Sequence, residues 1–441
     1  MLLGAAAFVL AWANAARGPL QWDDYAVIVR NPRVHSLADW ARAVPTGIRP
    51  VLALSYTLQW ISGAGPFGFH CFNLAVHALA VVLVWRLCLR LVGTVPALVG
   101  ALIFAVHPVQ TEAVTYVIGR SALLSTVFYL SGLLLWSGDR RRRLLALAAL
   151  VLALGCKETA ITWPMALVLV EMAAAPTDGW RAAFRRTRPA WIVAGLGLLL
   201  LLASQRYRDL LSFSLQLRAP LANLPSGVQA IGYLVSRLVL IRRLSIDPAL
   251  VPPAGWSVPL ALGGASIVVV AGLAVALVRR WTVAAFAVLW FLLQLLPTAS
   301  LIARTDVVSE RHLYPALLGV ALLVALAVDA IHRRAPRFAT VAIATLIVLL
   351  AFGTRLRNRD YETEAGLWVA AARLAPTNSR AFNNLGWSWH RAGCFADARR
   401  AYETALRLQP GNAAARGNLA GLPAGDGATC TIGWDALGPL P

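Results

Sequence analysis

The feature that most limits this chain is a succession of apolar runs separated by short basic clusters. Candidate spans lie at residues 2–20, 69–85, 95–106, 122–136, 144–155, 161–174, 189–203, 259–278, 281–299, 314–330 and 338–352. A helix needs ~20 apolar residues to cross the hydrocarbon core of a bilayer. Several runs are shorter, so their helices either extend into flanking polar residues or belong to a bundle dished on one side. Both options draw the polar connectors toward the membrane. Of the 441 residues, 59% are apolar and 14% charged, against about 25% charged in soluble domains. The expected fold is all-α: a polytopic membrane bundle of about eleven spans over residues 1–354. Residues 2–20 read as a retained first span, because no basic segment precedes them and Ala13-Asn14-Ala15 is a weak cleavage pattern.

The basic clusters orient the bundle. Arg86/Arg90, Arg140–Arg143, Arg181/Arg185/Arg186/Arg188, Arg279/Arg280 and Arg333/Arg334/Arg337 read as cytoplasmic loops. Residues 228–246 break the alternation and carry Arg237, Arg242 and Arg243, so they read as a re-entrant or interfacial helix. The N-terminus is then inside and the C-terminus outside. In a soluble chain the formal charge of +20 would point to nucleic acid. Here the clusters sit between apolar runs, where anionic headgroups and topology account for them, and no nucleic-acid partner is expected. The five cysteines show neither a metal spacing nor a disulfide framework.

Beyond residue 354 the composition becomes soluble. Leu374, Pro376 and Asn378 recur as Leu408, Pro410 and Asn412, and Asn384-Leu385 as Asn418-Leu419, each 34 residues on, the tetratricopeptide period. Helices are expected at 381–392 and 396–408, within a repeat segment 355–422. One good repeat is too few to stack alone, so it should pack on the bundle or on a protein partner. The Gly- and Pro-rich residues 423–441 read as a flexible tail.

Ionisable groups at the ends of spans demand an account, and four sets fall on the outer side. They are Asp23/Asp24, followed by a short interfacial helix at 37–44 and Arg49; His107 and Glu112, continuing to Arg120; Lys157-Glu158; and Glu310-Arg311 with Tyr314. Together they suit transfer from a lipid-linked sugar phosphate. A carboxylate takes the proton of an acceptor hydroxyl, and cations stabilise the leaving phosphate, a task suited to the planar fork of arginine. Asp23 and Asp24 are also the candidates to hold a divalent metal. Each set has a structural alternative: a local Lys157–Glu158 ion pair, a Glu310–Arg311 pair joining two loops, His107 ending a helix before Pro108, Arg49 as an interfacial anchor. His70 and His77 share an apolar helical face and read as packing residues. No phosphate-binding loop, nucleophile elbow or zinc spacing is present.

The ordered set resembles a family. Trp22-Asp23-Asp24, Arg49-Pro50, Pro66-Phe67-Gly68-Phe69-His70 with Asn73 and His77, His107-Pro108 through Glu112, Gly119-Arg120, Lys157-Glu158-Thr159 and Glu310-Arg311 with Tyr314 resemble the transmembrane-and-tetratricopeptide-repeat O-mannosyltransferases and their bacterial relatives. These belong to the GT-C superfamily of membrane glycosyltransferases. The resemblance covers roughly residues 15–420 and implies a polyprenyl-phosphate sugar donor, inverting transfer by direct displacement, and a site on the outer face. It places Asp23, with Asp24 beside it, at the catalytic acid position and Glu310 and Arg311 near the donor phosphate. It also leads one to expect a hydroxyl acceptor on an exported protein or a glycan. One departure stands out: family members read Gly-Arg-Ala-Asp where this chain has Gly119-Arg120-Ser121-Ala122. The missing acid is the main support for a second reading, a non-catalytic scaffold whose repeats recruit an envelope partner. Loss of residues 366–422 with retained transfer to a small acceptor would assign the repeats to acceptor choice instead. A flippase or transporter predicts mid-span charges and repeated helix sets, neither of which is evident.

Overall fold

The computed structural model describes residues 2–175, 177–299 and 301–438. Among them every regular element is helical. Five helices are long and apolar enough to cross a membrane: Gly65–Leu91, Val117–Trp136, Val258–Ala276, Glu310–His332 and Pro336–Asp360. Two bent pairs, Thr94–Val106 with Pro108–Val114 and Gly179–Arg186 with Arg188–Ala203, raise the number to seven if each is one span. The expected eleven is not reached by length and composition. Leu2–Trp12, Arg140–Leu154, Trp163–Ala174 and Thr282–Leu295 have 11, 15, 12 and 14 residues, below the ~20 of a full span. The first expected span shrinks most, because its helix stops at Trp12 and the chain then turns toward the site.

Proline marks where many helices begin. Pro50, Pro164, Pro189, Pro259 and Pro336 stand in first turns, where the missing N–H would have no helical partner anyway. Small residues then let helices meet closely. A Cβ on Gly319 would strike the Ala287 carbonyl oxygen, so Thr282–Leu295 and Leu313–His332 pack backbone to backbone, as is common in membrane bundles. Val258–Ala276 buries only Ala274 against the rest of the chain, the pattern of a lipid-facing helix. Residues 228–246 do not form a span: a helix Leu224–Arg237 is followed by a single turn at Ile241–Arg243.

The repeat forms as its period requires. Helices Ser379–Arg391 and Phe395–Leu408 pair, flanked by Glu364–Leu374 and Ala413–Ala420. Asn378 caps one helix and Asn412, 34 positions on, caps the equivalent one. A Cβ on Gly386 would lie 2.7 Å from the Tyr402 ring, which is why a glycine stands there. The composition change at 354 falls inside one helix, Pro336–Asp360, and the helices of the repeat segment begin after a short break at residues 361–363.

The tail and the cysteines require correction. Cys394 and Cys430 are disulfide-bonded with Cα atoms 5.8 Å apart. Residues 423–438 fold back on the repeat: Trp389 Nε1 donates to the Ile432 carbonyl at 2.6 Å, Trp434 packs on Phe382 and Trp389, and Leu437 is buried. Ile432, Trp434 and Leu437 are sparse, but each finds an apolar seat, and this outweighs the glycine content that predicted flexibility. Residues 439–441 lie outside the described residues.

Candidate active site

The loop after the first helix is latched in several places. Asp24 accepts hydrogen bonds from the backbone N–H of Gln21 (2.9 Å) and of Ile118 (3.1 Å). The Gln21 amide donates to the Tyr361 carbonyl at 2.5 Å. The backbone N–H of Trp22 donates to Glu364 at 3.1 Å, and that of Asp23 to the Tyr116 hydroxyl at 3.1 Å. Trp22 itself takes a left-handed backbone conformation, φ 43°, a strained state for a large residue that its surroundings must hold in place.

These latches give the two acids different situations. Asp24 is 1% exposed, with each carboxylate oxygen taken by a backbone N–H. Burial pushes its carboxyl up to about 7, against those bonds. Asp23 lines a cavity of about 630 Å³, and its carboxylate makes no hydrogen bond or ion pair among the described residues. Burial raises the Asp23 carboxyl as well, opposed by the charge of Arg311. The two carboxylates of the pair thus differ, that of Asp24 engaged by backbone donors and that of Asp23 facing the cavity. Among the described residues no three His, Cys, Asp or Glu side chains are placed to hold a metal ion.

Arg311 lines the same cavity as Asp23. Glu112, 2% exposed, positions it: Glu112 accepts from the Ser309 hydroxyl and from the Arg311 backbone N–H (3.0 Å), and its Oε1 lies 3.5 Å from Arg311 Nε. Glu310 points elsewhere, accepting from the Tyr233 hydroxyl (2.9 Å) and the Ser245 N–H (2.8 Å). It ties residues 224–246 to the bundle. Arg49 and Glu158 form a two-pronged pair at 2.9 and 2.7 Å, so Glu158 is partnered by Arg49 and not by its neighbour Lys157. Burial works against the Glu158 carboxylate, but Arg49 outweighs it and holds the carboxyl down at about 2. Lys157 is buried, and its ammonium makes no hydrogen bond or ion pair among the described residues. Burial, then Arg311 and Arg49, push its ammonium down to about 7.

The remaining expected site residues do not line this cavity. Arg120 is fully buried, bonded to Asn73 and to the Ser55 and Phe69 carbonyls, with its guanidinium over the Tyr56, Phe69 and Phe72 rings. Tyr314 is buried and shares a 2.8 Å hydrogen bond with His77 Nδ1. His107 accepts from the Val109 N–H through Nδ1, and its Nε2 meets the Leu238 carbonyl at 3.2 Å, so it closes a helix end. His70 Nε2 meets the Gly18 carbonyl at 3.0 Å. Both His70 and His77 pack in the bundle.

Sequence reasoning missed several residues of the cavity. Arg380, from the repeat, bridges Asp247 at 2.6 Å and Asp306 at 2.5 Å, and all three line it with Tyr116. Arg304, outside that lining, is a further cation that feels Arg311, Glu158 and Arg49. Arg304 and Asp306 stand in the same polar stretch as Arg311, and that proximity was a usable signal. Asp247 and Arg380 come from distant elements and had none.

A tetratricopeptide repeat family model matches residues 379–412. Protein O-mannosyl-transferase Tmtc3 of Drosophila melanogaster is 27% identical, over 84% of this chain and 49% of its own length. TMTC3 of Mus musculus is 25% identical over 84% and 45%, and F38B6.6 of Caenorhabditis elegans, also a protein O-mannosyl-transferase, 24% over 91% and 61%. Over most of its own length the chain is similar to these protein O-mannosyl-transferases, and it carries a tetratricopeptide repeat. It spans about half the length of Drosophila Tmtc3 and mouse TMTC3. No solved structure matches it.

Proposed function

We propose that the chain is a membrane glycosyltransferase that moves a sugar, mannose by analogy with its relatives, from a polyprenyl-phosphate donor to a hydroxyl of an exported polypeptide. The reaction takes place on the extracytoplasmic face. The observation that carries this reading is that Asp23, with a free carboxylate, and Arg311, positioned by Glu112, line one cavity. Asp23 accepts the proton of the acceptor hydroxyl. The hydroxyl oxygen attacks the anomeric carbon as the bond to phosphate breaks, and the configuration inverts. Arg311 meets the charge growing on the departing phosphate, with Arg304 and Lys157 adding positive potential. Burial makes Asp23 a stronger base than a solvated aspartate, which suits proton transfer near neutral pH. The Cys394–Cys430 disulfide supports an oxidising compartment for the repeats. This agrees with a topology of about eleven crossings, N-terminus inside.

The test is transfer of labelled mannose from mannosyl polyprenyl phosphate to a threonine peptide by the purified full chain in nanodiscs. Asp23→Asn is expected to lower kcat by about 10²–10⁴ while the protein inserts and elutes normally. Unchanged turnover in Asp23→Asn would remove Asp23 from the mechanism. An inactive wild type would favour the scaffold reading, whose remaining support is Ala122.

A further inference from the structure

A second cavity, of about 310 Å³, lies between the first outer loop and the repeat, and Trp22 lines both it and the main cavity. Tyr25 and Arg30 come to it from the loop, and Trp387 and Arg391 from the repeat. Arg391 sits over the Tyr25 ring at 4.1 Å and pairs with Glu364 at 3.2 Å, so the wall is held in place. Arg30 is exposed and makes no ion pair among the described residues. Trp387 is 38% exposed, an unusual place for a tryptophan on a surface facing a cleft.

The two cavities are linked along one helix. Arg380, Asn384, Trp387 and Arg391 are spaced by four, three and four residues in Ser379–Arg391, which puts them on one face. Arg380 lines the main cavity and Trp387 and Arg391 the second. Between them stands Asn384, whose oxygen accepts from Asn383 (3.1 Å) and whose buried amide nitrogen has no hydrogen-bond partner. A buried donor left open is uncommon in a folded protein and needs an account.

We infer that this face is the track for the acceptor polypeptide, bound extended across Trp22 so that a hydroxyl side chain reaches Asp23. The inference rests on the transferase reading above and names the chemistry of its acceptor. The Asn384 amide donates to a peptide carbonyl, the Trp22, Tyr25 and Trp387 rings take apolar or proline side chains, and Arg30 favours an acidic residue at the outer end. Eleven residues of helix span about 16 Å at 1.5 Å per residue, which an extended chain covers in about five residues. A free glycan offers the rings a surface but not the regular carbonyls along that length.

The test uses the full chain in nanodiscs with mannosyl polyprenyl phosphate and threonine peptides of one, three, five and seven residues. The kcat/KM is expected to rise with length and level off near five to seven. Trp387→Ala should erase about tenfold of that rise, the worth of one aromatic contact, with Trp387→Phe restoring most of it. Asn384→Asp keeps the oxygen used by Asn383 but removes the donor, and should likewise flatten the series. A series flat in the wild type overturns the track, as does an equal loss at every length in Trp387→Ala, or a preference for soluble oligosaccharide that Trp387→Ala abolishes. Fluorescence anisotropy of a labelled heptapeptide separates the two levels of the argument. If the wild type transfers to no acceptor, the transferase reading falls, and about tenfold weaker peptide binding by Trp387→Ala still supports the track. Equal binding by both proteins overturns it.

Discussion

The sharpest consequence of the site geometry is that Asp23 and Asp24, adjacent in sequence, fail in opposite ways when neutralised. Asp24 is buried with two backbone N–H donors and no cation bonded to it. Burial raises its carboxyl from 3.8 to about 7, so the folded state binds that proton more readily than the unfolded chain does. The sign of the pH effect follows. The stability this group contributes is complete below its unfolded value of 3.8 and is lost as pH climbs through about 7. At about 1.4 kcal/mol per pH unit the full span amounts to about 4 kcal/mol, and the part between pH 5.5 and pH 7 to about 2 kcal/mol.

Asp24→Asn makes the group permanently neutral and removes this dependence. Thermal unfolding of both proteins in one detergent, followed by the fluorescence of the 16 tryptophans, should therefore show the gap between them changing with pH. Relative to wild type, Asp24→Asn should gain about 2 kcal/mol between pH 5.5 and pH 8, a few degrees in Tm. Parallel Tm curves across that range would refute the reasoning. They would mean that Asp24 is ionised throughout and that its two N–H bonds suffice to hold the charge.

Two further outcomes are expected. Replacing Cys394 and Cys430 with alanine opens a loop of 36 residues, worth about 3–4 kcal/mol in the chain-entropy account, and limited proteolysis should then cut within 423–438 while sparing the bundle; an unchanged digest would mean that Ile432, Trp434 and Leu437 hold the tail unaided. Because the Lys157 ammonium sits at about 7, donor kcat/KM should fall as pH rises through that value, and Lys157→Arg, which stays charged, should move the alkaline limb beyond about pH 9; an unmoved limb would exclude Lys157 as its source.

Much of this was legible because the chemistry-bearing residues lie where apolar runs end. That rule, under which a charge at such a place needs a reason, singles out Asp23, Glu112 and Arg311, which line one cavity, and Lys157, which is buried. The same rule misled at Arg120 and Tyr314, because a span-end polar residue can equally turn inward. Arg120 is held by neutral oxygens and aromatic rings, with no carboxylate paired to it among the described residues, and no local pattern announces that. Ala122 shows the converse. It lines a narrow pocket with Lys157, a proximity visible only in three dimensions. The disulfide was illegible because two scattered cysteines 36 residues apart pair only once the tail has folded back. The span count is not reached by length and composition because helices of 11 to 15 residues satisfy a hydropathy pattern but fall short of the ~20 residues of a full crossing.

The position of the repeat changes how its role must be tested. Thr377 to Arg380 and Leu408–Gln409 line the main cavity, Arg380 ties together the two loops that carry Asp247 and Asp306, and Glu364 holds the Trp22 backbone. The Trp368 ring packs edge-on against Trp22 at 5.0 Å. Deleting residues 366–422 would therefore remove a wall of the site and, with Trp368, part of the support of the loop bearing Asp23. Lost transfer after such a deletion would say nothing about whether the repeat selects acceptors or anchors partners. Substitutions on its exposed stripe, which leave Arg380 and Glu364 in place, keep the cavity whole and isolate what the repeat contributes to choosing what enters it.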